Sequence, residues 1–212
     1  VGAADGLDDP RAGSGADGDR ALVEPDAPDA PLGLRRDRQG EPRGGAALAA
    51  HHVEHDLAAP LRLYEATVPV DWVDYNGHMN DSRFFQVTSE AGDRLMRFIG
   101  VDEQYLTHSS YYTVESHVNF GAQAKAGDRL YATVQLLSHD AKRLHHFTSI
   151  HRADDDTLVA TAEHMMLHVD TAAGRSSSAA PALLATLDEL AAHHGSLPRP
   201  AHAGRFVGQP RG

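Results

Sequence analysis

From Leu61 onward the apolar positions fall into short, separable patterns. Leu61, Leu63, Val68 and Val70, with polar residues between them, predict a first strand running to about Val73. Asp74-Tyr75-Asn76-Gly77 then carries the Asn-Gly signal of a tight reversal, and Asn80 or Asp81 suits the N-cap of a helix. Phe84, Val87, Ala91, Leu95 and Phe98 recur at spacings of three and four, which predicts one long helix from Ser82 to Ile99, ended by Gly100. Four strand-like segments come next, at about Tyr111–Phe120, Arg129–His139, Arg143–Arg152 and Leu158–Val169. Turn residues separate them, and Ala126-Gly127-Asp128, Asp140-Ala141-Lys142 and Asp154-Asp155-Asp156 read as hairpin connections. A last amphipathic helix is expected from Pro181 to His194, stopped by Gly195.

Strand, long helix, then an antiparallel run of strands gives an α+β domain. One sheet can bury one apolar helix only by wrapping around it. Periodicity alone leaves other α+β arrangements open. The expected organisation is a disordered leader or linker over residues 1–60, a folded domain over 61–175, a helical extension over 176–197 and a flexible tail over 198–212. The leader is rich in Gly, Ala, Asp, Pro and Arg and lacks sustained periodicity.

Composition narrows the chemistry. With no cysteine among 212 residues, disulfides, thiolate metal sites and cysteine nucleophiles drop out, leaving carboxylates, histidines and hydroxyls. A net charge of -11 without a clustered basic face argues against nucleic acid as a partner. No apolar run approaches the roughly 20 residues of a membrane span, and no secretory signal is visible, so a cytoplasmic location is expected. Histidine pairs occur at His51-His52, His145-His146 and His193-His194. No metal site is expected from them, because neighbours in a strand such as His145 and His146 point to opposite faces.

Asp74-Tyr75-Asn76-Gly77-His78-Met79-Asn80, followed by Phe84 and by Glu90-Ala91 on the helix, resembles the signature of the 4-hydroxybenzoyl-CoA thioesterase-like hot-dog family. The resemblance covers about Leu61 to Arg175. Within it, Trp72 to Asn80, Ser110 to Glu115, Lys142 to His145 and Thr161 to Thr171 look most like betainyl-CoA thioesterases of carnitine breakdown. Two positions depart from the wider pattern: Asp81 stands where Asn is common, and Phe84 where Tyr is common. Some members of that group are fused to a dehydrogenase. The leader is expected to be too short to hold one, which would put that partner on another chain.

The resemblance implies a single hot-dog domain, a homodimer or higher oligomer, no cofactor and hydrolysis of betainyl-CoA to glycine betaine and coenzyme A; a thioesterase for another short-chain acyl-CoA and a non-catalytic acyl-CoA-binding hot-dog module are the alternatives. Thioester hydrolysis needs an ionised group to attack the carbonyl or activate water, and donors for the oxygen that becomes negative. Asp74 is the expected carboxylate, either as nucleophile or as general base. Backbone N–H groups at Gly77, His78 or Met79 are the expected oxyanion donors near the helix N-terminus. Asn80 completes the motif, and His78 either orients the loop or transfers protons. A betainyl group carries a permanent trimethylammonium charge, which aromatic faces bind. Trp72, Tyr75, Phe84, Tyr111 and Tyr112 are the candidates, with Glu115 as a nearby anion; Tyr111 and Tyr112 alternate, so only one can face a pocket. Lys142 and Arg143, just after the Asp140 turn, are the cations expected to meet coenzyme A phosphates.

Overall fold

A computed structural model describes residues 56–207; the expectations for residues 1–55, with the His51-His52 pair, and for the last five residues lie outside them, while Leu57 of the expected leader packs against the core. The elements are β1 (Leu61–Thr67), α1 (Asp81–Phe98), α2 (Glu103–Leu106), β2 (Ser109–Phe120), β3 (Arg129–His139), β4 (Arg143–Arg152), β5 (Leu158–Asp170), β6 (Arg175–Ser176) and α3 (Pro181–His194). All pairings are antiparallel, in the order β1-β3-β4-β5-β2, with the short β6 on β5. The expected hairpin at Ala126-Gly127-Asp128 is therefore not one: β2 pairs with β5 and β3 with β1 and β4, and Gly127 and Asp128 bond the end of β1 at Val68 instead. The sheet wraps α1, as the amphipathic pattern requires.

The expected first strand is too long by six residues. It ends at Thr67, and Val70–Trp72 is a single 3-10 turn. Pro69, which has no N–H to give a ladder, stands at its N-cap. Val68 is buried beside the β3 approach, its N–H donating to Asp128 O and its carbonyl accepting from Gly127 N. The chain therefore leaves the sheet and crosses toward α1.

α1 buries Phe84, Val87, Thr88, Ala91, Gly92, Leu95 and Met96 against the inner face of the sheet. Burial of each large apolar side chain stabilises by about 1.5–3 kcal/mol. Gly100, at φ +103, reverses the chain after the helix. Leu183, Leu187 and Leu190 of α3 join the same apolar cluster as Leu61, Leu95 and Ile99. His194 at the end of α3 accepts from Leu136 N–H through Nδ1 and donates through Nε2 to Ala59 O, so the ring is a neutral clamp between three segments.

The outer face of the sheet is covered in part by residues expected to be a flexible tail. Gln135 donates to Pro198 O, and Gly204 N–H donates to Glu163, whose carboxylate also holds His145 at 2.7 Å. His145 thus lies on the outer face, whereas His146 is buried against α1. No helix among the described residues is long and apolar enough to cross a membrane.

Candidate active site

The segment Val73–Met79 folds back on itself as a small pinned loop. Val73 and Met79 bridge antiparallel, Asp74 N–H donates to His78 O, and Gly77 N–H donates to Asp74 O. Asn80 N–H donates to Trp72 O and Met79 N–H to Ala124 O, which ties the loop to the stretch before β3. Met79 is the buried anchor. Gly77 sits at φ +76, a conformation in which a Cβ is strained, although open space surrounds it.

Within this loop the half-buried Asp74 carboxylate accepts from Asn76 N–H at 2.8 Å and, at the 3.5 Å limit, from His78 N–H and the Asn76 amide. No cation pairs with it among the described residues. Asn80 is the N-cap of α1: its Oδ1 accepts from Ser82 N–H at 3.0 Å and from Ser82 Oγ–H at 2.6 Å. The cap fixes the amide plane and leaves Nδ2 as a donor without a partner among the described residues.

The oxyanion donors expected from the loop backbone are mostly committed elsewhere. Gly77 N–H goes to Asp74 O within the loop, Met79 N–H to Ala124 O outside it, and His78 N–H faces the Asp74 carboxylate. Closing so tight a reversal consumes its own donors.

The aromatic and charged candidates do not gather in one place within the chain. Phe84 is buried beside Phe120, their rings edge-on at 5.6 Å, next to the Asp74 loop. Trp72 is half-buried and already faces the Arg83 guanidinium at 5.8 Å. Tyr75 is 96 % exposed. Tyr111 and Tyr112 lie at the far end of β2 from Phe120, about 30 Å along the strand. There Tyr111 is buried against His168, and burial, followed by the neighbouring Tyr105 and Asp140, pushes its hydroxyl up to about 12. Tyr112 faces out, so the alternation holds. Glu115 is exposed beside a bulge in β2 rather than buried near the tyrosines.

Lys142 and Arg143 also lie at that far end, in the turn joining β3 to β4, the length of β3 away from the Asp74 loop. Asp140 accepts from both backbone N–H groups and from Arg143 Nε at 2.7 Å. The Arg143 hydrogen bond and then the two backbone donors hold Asp140 down at about 2. Among the described residues no three His, Asp or Glu side chains are grouped to hold a metal ion.

The sequence patterns do not reveal a polar layer under α1. His146 and His164 are cross-strand partners with rings 4.9 Å apart; His164 meets the ring of Phe85 at 6.0 Å, and His146 fits against Gly92. Ser116 Oγ bonds His164 Nδ1 at 2.8 Å. Burial pushes His146 down to about 3, helped by His164 and His145, and His164 down to about 4. His146 Nδ1, His164 Nε2 and Thr148 Oγ1 are buried without partners. The one signal of this layer in the sequence is a pair of histidines at inward-facing positions of apolar strands.

Residues 68–187 match the thioesterase-like superfamily, and the chain belongs to that family. It is 40% identical over 156 residues to a betainyl-CoA thioesterase of Pseudomonas aeruginosa, covering 73% of this chain and 98% of that one. It is 48% identical over 157 residues to an L-carnitine dehydrogenase/betainyl-CoA thioesterase of Rhizobium meliloti, covering 74% of this chain and 32% of that protein, so it spans about a third of that fused relative. A Pseudomonas putida crystal structure assigned by name to the thioesterases superposes with a TM-score of 0.64 at 35% identity, covering 72% of this chain and 99% of that one.

Proposed function

We propose that the chain is a thioester hydrolase that converts betainyl-CoA and water to glycine betaine and coenzyme A, without a metal or redox cofactor. The observation that carries this is the Asp74 carboxylate, held by its own loop beside the N-cap of α1 with no counter-ion among the described residues, in a chain that matches nearly the whole of a named betainyl-CoA thioesterase. In the reaction the carbonyl carbon gains an oxygen, the C–S bond breaks, and coenzyme A leaves as its thiol. Asp74 either takes a proton from the attacking water and passes it to the departing sulfur, or attacks the carbonyl itself to give an anhydride that water cleaves, restoring the carboxylate and supplying the thiol's proton. The Asn80 Nδ2 amide, oriented by its cap bonds, donates to the carbonyl oxygen as it becomes negative, and His78 holds the loop.

The reading includes a homodimer and a cytoplasmic location. β2 is a sheet edge of 12 residues with no strand beyond it among the described residues, and Tyr112, Val114 and Phe120 are exposed along it. Such an edge is a template for pairing. Antiparallel pairing of two β2 edges brings the Tyr111–Lys142 end of one copy beside the Asp74 loop of the other, which explains why the candidates divide between the two ends. The test is hydrolysis of a panel of acyl-CoA thioesters by the purified chain, with its mass in solution measured alongside. Release of free thiol from betainyl-CoA above the other short acyl thioesters is expected. No thiol release from any of them overturns the reading, and hydrolysis with another acyl group favoured moves it to that substrate.

A further inference from the structure

The acyl group that these relatives are named for carries its quaternary nitrogen two bonds from the thioester carbon. Whatever recognises the charge must therefore lie close to the Asp74 loop. Within the chain this leaves out Tyr111 and Tyr112, and it disfavours Trp72, whose face Arg83 already approaches, and Tyr75, which points into solvent.

A different aromatic set gathers at the N-terminal end of α1. Phe85 lies about 7 Å along the axis of α1 from its N-cap. It is 42 % exposed, and Phe120, fixed against Phe84, is 53 % exposed on the adjoining strand. Behind Phe85 come His164 and then His146, their rings stepping inward beneath the helix. Ser116 occupies Nδ1 of His164 and leaves the buried Nε2 with no partner.

Resting on the thioesterase reading above, we infer that Phe85, Phe120 and His164 form the subsite for the quaternary ammonium of the acyl group, with Ser116 setting the orientation of the His164 ring. Two phenyl faces and an imidazole offer π-electron density to a cation that has no N–H to donate. Burial keeps both histidines neutral near pH 7, so neither repels the charge.

The test compares betainyl-CoA with its neutral carbon isostere, the tert-butylacetyl thioester, in the wild type and in Phe85→Leu, His164→Gln and Tyr112→Leu. Both thioesters have nearly the same shape, so the ratio of their kcat/KM values reads the charge. The wild type is expected to favour the cation. Phe85→Leu and His164→Gln each reduce that preference about tenfold, through betainyl-CoA alone, while the neutral thioester stays within about twofold. The neutral thioester serves as the folding control, and Phe85 is exposed enough that leucine leaves the core intact. A preference that survives both variants, or one that falls only in Tyr112→Leu, overturns the subsite. A wild type that cleaves both thioesters equally also overturns it but leaves the hydrolase reading standing. Cleavage of neither thioester removes the hydrolase reading itself.

Discussion

Two aspartates open reversing turns at opposite ends of the same sheet. Asp74 accepts from Asn76 N–H, and Asp140 accepts from the N–H groups of Lys142 and Arg143, so the local device is nearly the same. The difference is the counter-ion. Arg143 closes back on Asp140 and neutralises it, whereas Asp74 has only amide donors. A carboxylate with a guanidinium on it is a structural lock. One held in place by dipoles alone keeps its charge available for a carbonyl or a water.

The largest expected effect tests that contrast directly. Asp74→Asn keeps the shape and an oxygen acceptor for the turn but is neither base nor nucleophile, so kcat should fall at least about 10²-fold with the melting temperature nearly unchanged. Asp140→Asn should do the reverse, with kcat retained and some stability lost. Steady-state kinetics and thermal melts on the two variants decide it, and an Asp74→Asn enzyme above about a tenth of wild-type turnover refutes the assignment.

Titration separates the regions in a second way. His146 and His164 are held below their usual 6.5, so the stability linked to their neutral forms is complete above 6.5 and drains as the pH falls through 6.5 toward 4 and 3. A loss of about 3–5 kcal/mol by about pH 4.5 is expected from two such groups. The contribution of Asp140 is complete above 3.8 and fades only as the pH falls from there toward 2. Urea melts should therefore show wild type and Asp140→Asn weakening in parallel between pH 6.5 and 4, while His146→Gln flattens the slope for both.

Backbone demands differ as well. The Asp74 turn needs Gly77 at positive φ, and Gly77→Ala should cost about 1–2 kcal/mol by strain alone, since nothing crowds the new methyl. The Asp140 turn has no residue at positive φ, so Ala141→Gly should cost only a few tenths of a kcal/mol to about 1 kcal/mol, through the unfolded chain. The smallest effect is expected at the cations. Lys142→Ala should raise KM for acyl-CoA a few-fold at low salt and less at high salt, and Arg143→Ala should raise it less, because Asp140 already screens that guanidinium.

α1 is legible in the sequence because its period is unbroken, the four long strands because each is long enough to read between turn residues despite bulges such as those in β2 and β3, and the Asn76-Gly77 reversal because glycine is where positive φ falls. The end of β1 is not, because Val68 and Val70 continue an alternation that Pro69 interrupts; one of the two is buried and the other is exposed. α2 and β6 are too short to carry a period. The site is legible as a motif but not as a place. Which end of a strand a residue reaches depends on pairing register, so sequence alone cannot tell that Tyr111 and Lys142 lie a strand's length from Asp74. Phe85 falls outside the apolar stripe of α1 because it directly follows Phe84, yet it is the ring that meets His164.

The strand order also sets a folding sequence. β3, β4 and β5 are joined by tight turns, so His139 pairs with Leu144 after a loop of four residues, and those contacts form at little entropic cost. β1 must find Arg129 from Thr67 and β2 must find Ala160 from Phe120, each across a long loop. Low contact order in the meander and high contact order at both edges make the meander the early nucleus and the edges the late arrivals. The Asp74 loop and α1 lie between those two edges. The Asp74 loop is therefore expected to assemble late, and refolding followed by hydrogen exchange should show amides of β4 protected before those of β2.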